Sequence, residues 1–274
     1  MAQYINTNIA SINAQRNLSS SQLSLQTSLQ RLSSGLRINS AKDDASGLVI
    51  SESMTTQVRG LDQAVRNAND GISMSQTAEG ALTVMGDMLQ RMRELTVQAS
   101  NGTNSTSSWA AIDAEYQKLG NEINRVASST TFNGATIIGA GATTTSFQVG
   151  SNSGASDQVT IATTDRSTIF SGGIATAITS TATANSNMIA VDAAIGLIST
   201  DRAALGAAQN TFQFTISNLQ NASENTSAAR SRITDTDFAA ETGRLTRSQI
   251  LQQAGTAMLA QANAVPNGVM ALLR

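Results

Sequence analysis

Apolar residues recur along the N-terminal segment at the spacing of a helix that packs against a partner helix. An early set at Ile5, Ile9 and Ile12 is followed by a second set that steps alternately by four and three residues. Its members are Leu18, Leu25, Leu29, Leu32 and Leu36, with Gln22 in the one polar position. This is the a/d spacing of a coiled coil. We predict a local interruption between Ile12 and Leu18, where the register slips.

The same spacing resumes beyond residue 44 and predicts a long second helix over about residues 45–99. Its apolar positions are Met54, Val58, Leu61, Val65, Ala68 and Ile72 and then, after a second predicted slip, Ala78, Leu82, Met85, Leu89 and Met92. Polar residues 101–108 predict a loop. Residues 109–128 predict a third helix that folds back on the second.

The middle of the chain changes character near residue 130. The dipeptide Asn133-Gly134 stands between residues with β propensity, which is typical of a tight hairpin turn. Residues 143–164 alternate in the same way. We therefore predict a small β region at about 130–165. Residues 166–188 are rich in Thr, Ser, Ala and Gly, and they predict a mobile surface loop.

Helical spacing returns at about residue 189 and continues to the C-terminus, with a joint near residue 235. In the last segment Leu251, Met258, Val265 and Leu272 are spaced by seven residues, and Val269 lies beside that line. The prediction is a mainly α fold with a small β region: a long antiparallel helical rod whose N- and C-terminal helices pair. A pair of helices covers little of two apolar lines, so we expect other copies of the chain to cover the rest. The residues predicted to form this assembly seam are Leu18, Leu25, Leu29, Leu32, Leu36, Leu251, Met258, Val265, Val269 and Leu272.

Composition narrows the possible functions. The chain has 274 residues, no Cys and no His, which excludes thiol chemistry, disulfides and the usual zinc or copper sites. It also lacks the commonest general base. Aromatic residues make up 3% and charged residues 13% of the chain, a composition closer to that of an assembly part than of an enzyme. We predict no enzymatic activity and no cofactor.

Charge placement separates the ends from the middle. All 19 acidic residues lie between Asp43 and Glu241, whereas residues 1–42 and 244–274 carry seven basic residues and no acidic one. The basic residues are sparse and have no interleaved aromatics, so we predict no nucleic-acid partner. The N-terminus has neither a basic start nor an apolar run, so we expect no secretory signal peptide. No stretch of about 18 apolar residues predicts a membrane span.

Acidic residues cluster at the two predicted joints. Asp43 and Asp44 precede the second helix, and Asp235 and Asp237 precede the last one; Gly35 ends the first. The carboxylates are interpreted either as a metal site or as helix caps, since the helix N-terminus favours acidic side chains.

Four stretches resemble bacterial flagellin. They are QRLSSGLRINSAKDDASGL (30–48), QRMRELTVQASNGTNS (90–105), FNGATI (132–137) and ARSRITDTDFAAETGRLTRSQILQQAGTAMLAQANAVPNGVMALLR (229–274). The resemblance covers about residues 1–165 and 189–274. Larger flagellins insert outer domains where this chain has only a short segment. The resemblance therefore implies a short form of flagellin with a comparatively smooth filament surface.

The flagellin resemblance implies a structural role in motility. Residues 1–42 with 235–274 would form an inner domain that lines the channel of a helical homopolymer, and residues 43–234 would form the outer domain. The chain would be exported unfolded through the flagellar type III apparatus, with a chaperone on its C-terminal segment. It would be secreted to the extracellular filament and would meet hook-associated and cap proteins there.

The resemblance also implies recognition by Toll-like receptor 5 of hosts. The matching positions are Gln90, Arg91, Leu95, Gln98 and Glu115. Arg91 would form charge-assisted hydrogen bonds and Leu95 would supply an apolar anchor. In the alternative interpretation Arg91 and Glu115 are surface charges of the rod or part of a contact between subunits.

Three other functions compete with a filament subunit. A hook–filament junction protein would share similar ends but would favour a longer, divergent middle. A secreted coiled-coil adhesin or translocator fits less well with paired terminal helices and a small middle region. An enzyme is disfavoured because no phosphate loop, catalytic base or convincing acid pair is present in the sequence.

Overall fold

A computed structural model of the chain describes residues 7–171 and 174–271, with side chains as far as residue 265. Five helices account for most of it: α1 (Ile9–Ser34), α2 (Ala45–Ala99), α3 (Thr106–Ser129), α4 (Thr181–Thr234) and α5 (Phe238–Ala271). The strands are β1 (Thr131–Phe132), β2 (Ala135–Thr136), β3 (Thr145–Gln148) and β4 (Gln158–Ile161). The predicted fold class, mainly α with a small β region, is confirmed.

The chain divides into two compact units. One consists of residues up to Thr56 together with those from Asn225 onward, and the other of Gln57–Glu224. The first contains α1, α5 and the adjoining ends of α2 and α4. The second contains α3, the strands and the remainder of α2 and α4.

The core of the second unit follows one face of α2 without interruption. Buried positions step by three or four residues from Leu61 to Ala99, so the predicted slip between Ile72 and Ala78 is absent. Small residues continue the stripe there. The ring of Phe212 packs so closely on Gly71 that a Cβ at this position would lie 2.7 Å from Phe212 Cζ. Ser75, fully buried, donates its hydroxyl hydrogen to the Gly71 carbonyl at 2.8 Å.

Helix α3 packs on this core as predicted, although it begins at Thr106, three residues early. The indole Nε1 of Trp109 donates to the Ala99 carbonyl at 2.9 Å and ties the start of α3 to the end of α2. Farther along, Tyr116 and Ile123 are fully buried. The apolar surroundings of Tyr116 raise the pKa of its phenol.

The predicted hairpin at Asn133-Gly134 is present. Both residues have positive φ, 50° and 80°, which is the backbone that a two-residue type I′ turn requires. Strands β1 and β2 pair antiparallel on either side of it. Strands β3 and β4 form a second antiparallel pair, and the Phe147 ring on β3 meets Phe212 edge-on at 5.6 Å between centroids.

The predicted surface loop at 166–188 is wrong. Four apolar side chains in this segment are buried: Ile169, Phe170, Ile174 and Ile178. Arg166 pairs with Asp201 at 2.6 Å, and both side chains are largely shielded from solvent. Helix α4 already begins at Thr181. Isolated apolar residues among Ser, Thr and Ala show no periodicity, and only their tertiary contacts reveal them as core residues.

The close contact at Gly71 predicts opposite effects for two substitutions in α2. We expect Gly71→Ala to lower the free energy of unfolding by about 1–3 kcal/mol, because the rigid Phe212 ring must shift. Gly80→Ala should raise it by up to about 1 kcal/mol, because a Cβ there meets nothing within 4 Å and alanine favours helix. Urea unfolding of the full chain measures both. Equal effects of the two substitutions would contradict the packing.

Candidate functional site

Helices α1 and α5 pack against each other through a seam of mostly small and polar residues. On α1 the shielded positions step by three and four residues: Ser11, Ala14, Leu18, Ser21, Leu25, Ser28 and Leu32. On α5 they are Glu241, Leu245, Ser248, Gln252, Gly255, Leu259 and Ala262. The steps on α1 are continuous, so the predicted interruption between Ile12 and Leu18 is absent.

A buried carboxylate lies near one end of the seam. Glu241 is 3% exposed, and its Oε1 accepts a hydrogen bond from Ser28 Oγ at 2.6 Å. Its Oε2 faces Arg244 Nη1 at 3.1 Å and Arg31 Nη1 at 3.9 Å. A buried charge is tolerated only when it is paired and hydrogen-bonded. This cluster therefore ties α5 to α1 at one position along their lengths.

Close approach and amide contacts fix the remainder of the seam. A Cβ at Gly255 would lie 3.3 Å from Leu18 Cδ1, so the glycine makes room for that leucine. At the far end Ser11 Oγ donates to Asn263 Oδ1 at 2.8 Å. Asn8 caps α1 through the Ser11 amide and donates its own amide hydrogen to the Ala262 carbonyl at 2.8 Å.

The residues predicted for the assembly seam divide into a shielded and an exposed set. Leu18, Leu25 and Leu32 lie in the contact between α1 and α5, where serines rather than Leu29 and Leu36 alternate with them. Leu29, Leu36, Leu251, Met258 and Val265 are exposed instead. The spacing of seven on α5 is real, but it marks the outer face. Val269 and Leu272 lie outside the residues whose side chains are described.

The outer faces of the two helices carry apolar side chains that no other described residue of the chain covers. Leu251 is 51% and Met258 64% exposed, and the further exposed apolar residues are Ile9, Ile12, Leu23, Phe238 and Ile250. A shallow groove on α5 runs beside Ile250 and Leu251 and is also lined by Ala239, Thr242, Gly243, Thr246 and Arg247. A large apolar surface of this kind is typical of an interface.

At the joint, backbone hydrogen bonds join the end of α1 to the turn before α5. Gly35 ends α1 with φ of 72°, a left-handed backbone that favours glycine. Its carbonyl accepts from the Thr236 amide at 2.9 Å, and the Arg37 amide donates to the Thr234 carbonyl at 2.6 Å. Leu36 and Asp235 form an isolated β-bridge between these bonds.

Three of the joint carboxylates hold backbone turns or helix starts. Asp43 Oδ2 accepts from the Asn39 and Ser40 amides, and these bonds, that of Asn39 first, lower the pKa of its carboxyl. Asp44 accepts from the Gly47 amide at the start of α2, and Asp237 accepts from the Ala239 amide at the start of α5. Among the described residues no group of three or more acidic side chains is placed to hold a metal ion. The geometry therefore favours capping over the metal site.

The fourth joint carboxylate stays within its own turn. Asp235 Oδ2 accepts from Ser231 Oγ at 2.6 Å, and its Oδ1 accepts from Thr234 Oγ1 at 2.9 Å. These bonds satisfy the carboxylate locally at the end of α4.

The predicted receptor positions lie on α2 and α3 of the second unit. Arg91 Nε meets Glu115 Oε1 at 2.9 Å, and Arg91 Nη1 meets Glu94 Oε2 at 2.8 Å. Glu94 and then Glu115 raise the pKa of the Arg91 guanidinium. Gln90 and Gln98 are exposed.

Leu95 does not fit its predicted role in that group. It is 2% exposed and belongs to the core, because it lies on the buried stripe of α2. The expectation that it supplies an exposed apolar anchor is therefore wrong. Val97, two residues after Leu95 on α2, is an apolar residue whose side chain is exposed.

Sequence reasoning missed several groups that the fold brings together. Arg93 on α2 pairs with Asp192 on α4 at 2.5 Å, which raises the pKa of the Arg93 guanidinium. The Ser28–Glu241 contact was missed as well. The serines between successive seam leucines, Ser21 and Ser28, were the available signal for the Ser28–Glu241 contact, whereas nothing in the local sequence indicates the Arg93–Asp192 pair.

Comparisons with known proteins decide the family. The model of the bacterial flagellin N-terminal helical region matches residues 5–144, and that of the C-terminal helical region matches residues 188–273. A flagellin of Halalkalibacterium halodurans is 48% identical over 270 residues, which cover 98% of this chain and 99% of that one. The chain belongs to the bacterial flagellin family.

Other flagellins show what is distinctive about this one. Flagellin D of Vibrio cholerae is 36% identical over an alignment of 376 positions that covers all of both chains. Because this chain has 274 residues, the alignment opens gaps in it, as expected for a short form. The crystal structure of Bacillus cereus flagellin has 31% identity and a TM-score of 0.51, covering 56% of this chain and 88% of that one.

Family membership settles the broad function. This flagellin is a structural, non-enzymatic subunit of the bacterial flagellar filament and assembles into a homopolymer. The enzyme and adhesin alternatives are set aside on these grounds. Over the residues that the structure describes, none of the helices combines the length and the apolar character needed to cross a membrane.

The Glu241 cluster predicts a difference between two serines of α1. Ser28→Ala removes the donor to a buried carboxylate, which we expect to speed amide hydrogen exchange in α1 and α5 about tenfold or more. Ser24→Ala is the matched control, because Ser24 Oγ donates only to the Ser20 carbonyl of its own helix. Mass spectrometry of the exchanging chain measures both. Similar protection in the two variants would contradict a holding role for Ser28.

Proposed function

We propose that the chain polymerises by burying the outer faces of α1 and α5 between copies. The observation that supports this proposal is the division of residues between the two sides of the pair. The seam combines serines, a glycine and a carboxylate with five leucines, whereas Leu251, Met258 and Val265 face outward and are exposed. Burying each of these three side chains would contribute roughly 1.5–3 kcal/mol.

The same arrangement supports an inner position for this part of the subunit. In our proposal residues 1–42 and 235–274 form the inner domain around the channel, and residues 43–234 form the outer domain. Residues 1–42 and 244–274 carry no acidic side chain. The three carboxylates of the inner domain, Asp235, Asp237 and Glu241, are hydrogen-bonded within the chain rather than free for salt bridges between copies. Contacts between inner domains would therefore depend on apolar burial.

The proposed role as a filament subunit also implies an export route and proteins that cover the ends of the filament. The chain would pass unfolded through the flagellar type III apparatus, be secreted, and add to the extracellular filament. An exposed apolar helix face is an aggregation hazard before assembly, so a chaperone on the C-terminal segment has a physical reason. Hook-associated and cap proteins would cover the same faces at the two ends of the filament.

We also propose that hosts recognise the second unit through Toll-like receptor 5. Arg91, Glu115, Gln90 and Gln98 would form the polar contact, since all four are exposed side chains on α2 and α3. The Arg91–Glu115 ion pair holds the guanidinium in place before binding. Leu95 would support α2 from inside the core.

Substitutions on the outer face of α5 test the assembly proposal. We expect the double variant Leu251→Asn and Met258→Asn to abolish polymerisation, because two apolar contacts per copy become polar. The matched control is Val84→Asn with Ile189→Asn, two exposed apolar residues of the second unit. Sedimentation and electron microscopy after salting-out measure filament yield. A double variant that polymerises as well as the control variant would contradict the proposal.

Two exposed ion pairs allow a matched test of receptor recognition. We expect Arg91→Ala to reduce receptor activation at least about tenfold, since hot-spot arginines cost about 2 kcal/mol or more when truncated. Arg93→Ala removes the comparable pair with Asp192 and should change activation little. A reporter cell line that carries the receptor measures both as monomers. Equal losses for the two variants would argue against a specific role for Arg91.

A further inference from the structure

The methionines of the chain differ sharply in exposure. The described side chains are those of Met54, Met74, Met85, Met88, Met92, Met188 and Met258. Met74, Met85 and Met92 are buried, whereas Met54, Met88 and Met188 are half-buried. Met258 is 64% exposed and is the one member of this set that stands open to solvent.

Met258 also lies at the centre of the face proposed for assembly. Leu251 and Val265, seven residues to either side, are exposed on the same side of α5. The chain has no Cys and no His, so no thiol is present to react first with an oxidant. An exposed thioether is the side chain here that a peroxide can oxidise most readily.

We propose that Met258 is an oxidation site that decides whether a subunit can join a filament. This inference rests on the proposed function. Before assembly the sulfur lone pair attacks one oxygen of hydrogen peroxide, the O–O bond breaks, and the other oxygen leaves as water after proton transfer. The thioether loses two electrons and becomes the sulfoxide, and the peroxide is reduced. After assembly the same sulfur lies between copies, out of reach.

The chemical change acts directly on the contact. The sulfoxide is polar and chiral and carries a strong hydrogen-bond acceptor, whereas Leu251 and Val265, on either side of it along the face, are aliphatic. Burying an acceptor without a donor weakens the contact. Oxidised subunits would therefore stay in solution, and subunits that had already polymerised would remain intact.

Peroxide treatment of the full chain, as monomer and as filament, tests this inference. Peptide mass spectrometry should find sulfoxide at Met258 in the monomer well before it appears at Met74, Met85 or Met92. The critical concentration for polymerisation of treated monomer should rise about tenfold or more. Reduction by methionine sulfoxide reductases with dithiothreitol should restore it.

Three variants separate the possible causes. Met258→Leu should polymerise and keep its critical concentration after peroxide, because the contact is preserved and the sulfur is gone. Met258→Gln should polymerise poorly without any oxidant, because it places a polar group on the same face. Thr256→Gln is the matched control, since it adds the same amide at an exposed position that is already polar.

Each contrary result has its own meaning. If monomeric Met258 oxidises no faster than the buried methionines, or if its sulfoxide leaves the critical concentration unchanged, the inference is wrong. It is also wrong if treated Met258→Leu loses polymerisation, since another residue then carries the effect. Equal oxidation of Met258 in monomer and filament would instead overturn the proposed assembly face. In that case the site is reactive but not buried between copies.

Discussion

The pairing of α1 with α5 depends on a seam in which small and polar side chains alternate with leucines. Glu241 is the clearest polar case, because a carboxylate that is 3% exposed is tolerated only beside Ser28, Arg31 and Arg244. These polar contacts set where the helices meet. Leu251, Met258 and Val265 of α5 are left on the outside of the pair.

The second unit follows the opposite rule. It has one large apolar core, in which small residues such as Gly71 and Gly120 make room for the aromatic rings of Phe212 and Phe170. Exposed ion pairs lie on its surface, where each contributes little to stability. In our proposal the second unit therefore forms its core within one chain, whereas the first unit buries its outer apolar side chains only when copies meet. This contrast would be the physical basis of assembly.

Long helices and the hairpin were predictable from the sequence, because each rests on a strong local signal. The bounds of α2 agree with prediction to the residue, and Asn133-Gly134 formed the expected turn. The seam was not predictable in the same way. The prediction rested on the spacing of apolar residues, whereas serines such as Ser28 mark the register of the contact between α1 and α5. The segment near Phe170 was missed because its apolar residues show no period.

The functional surfaces were predicted unevenly for the same reason. Arg91 and Glu115 were grouped by the family resemblance, whereas the burial of Leu95 depends on the register of α2. The line through Leu251 and Met258 was predicted as part of the assembly seam, and the fold leaves both residues exposed on α5. A pattern spaced by seven shows that a face exists, and only the fold shows what it faces.

A helical reconstruction of the assembled filament by electron cryomicroscopy tests the central claim most directly. The account predicts that Leu251 and Met258 of each copy are buried against neighbouring copies, while Ser28 and Glu241 remain paired within each chain. Leu251 and Met258 exposed to the channel or to solvent would contradict it. So would a filament in which Glu241 pairs with another copy, because the seam would then be a contact between subunits.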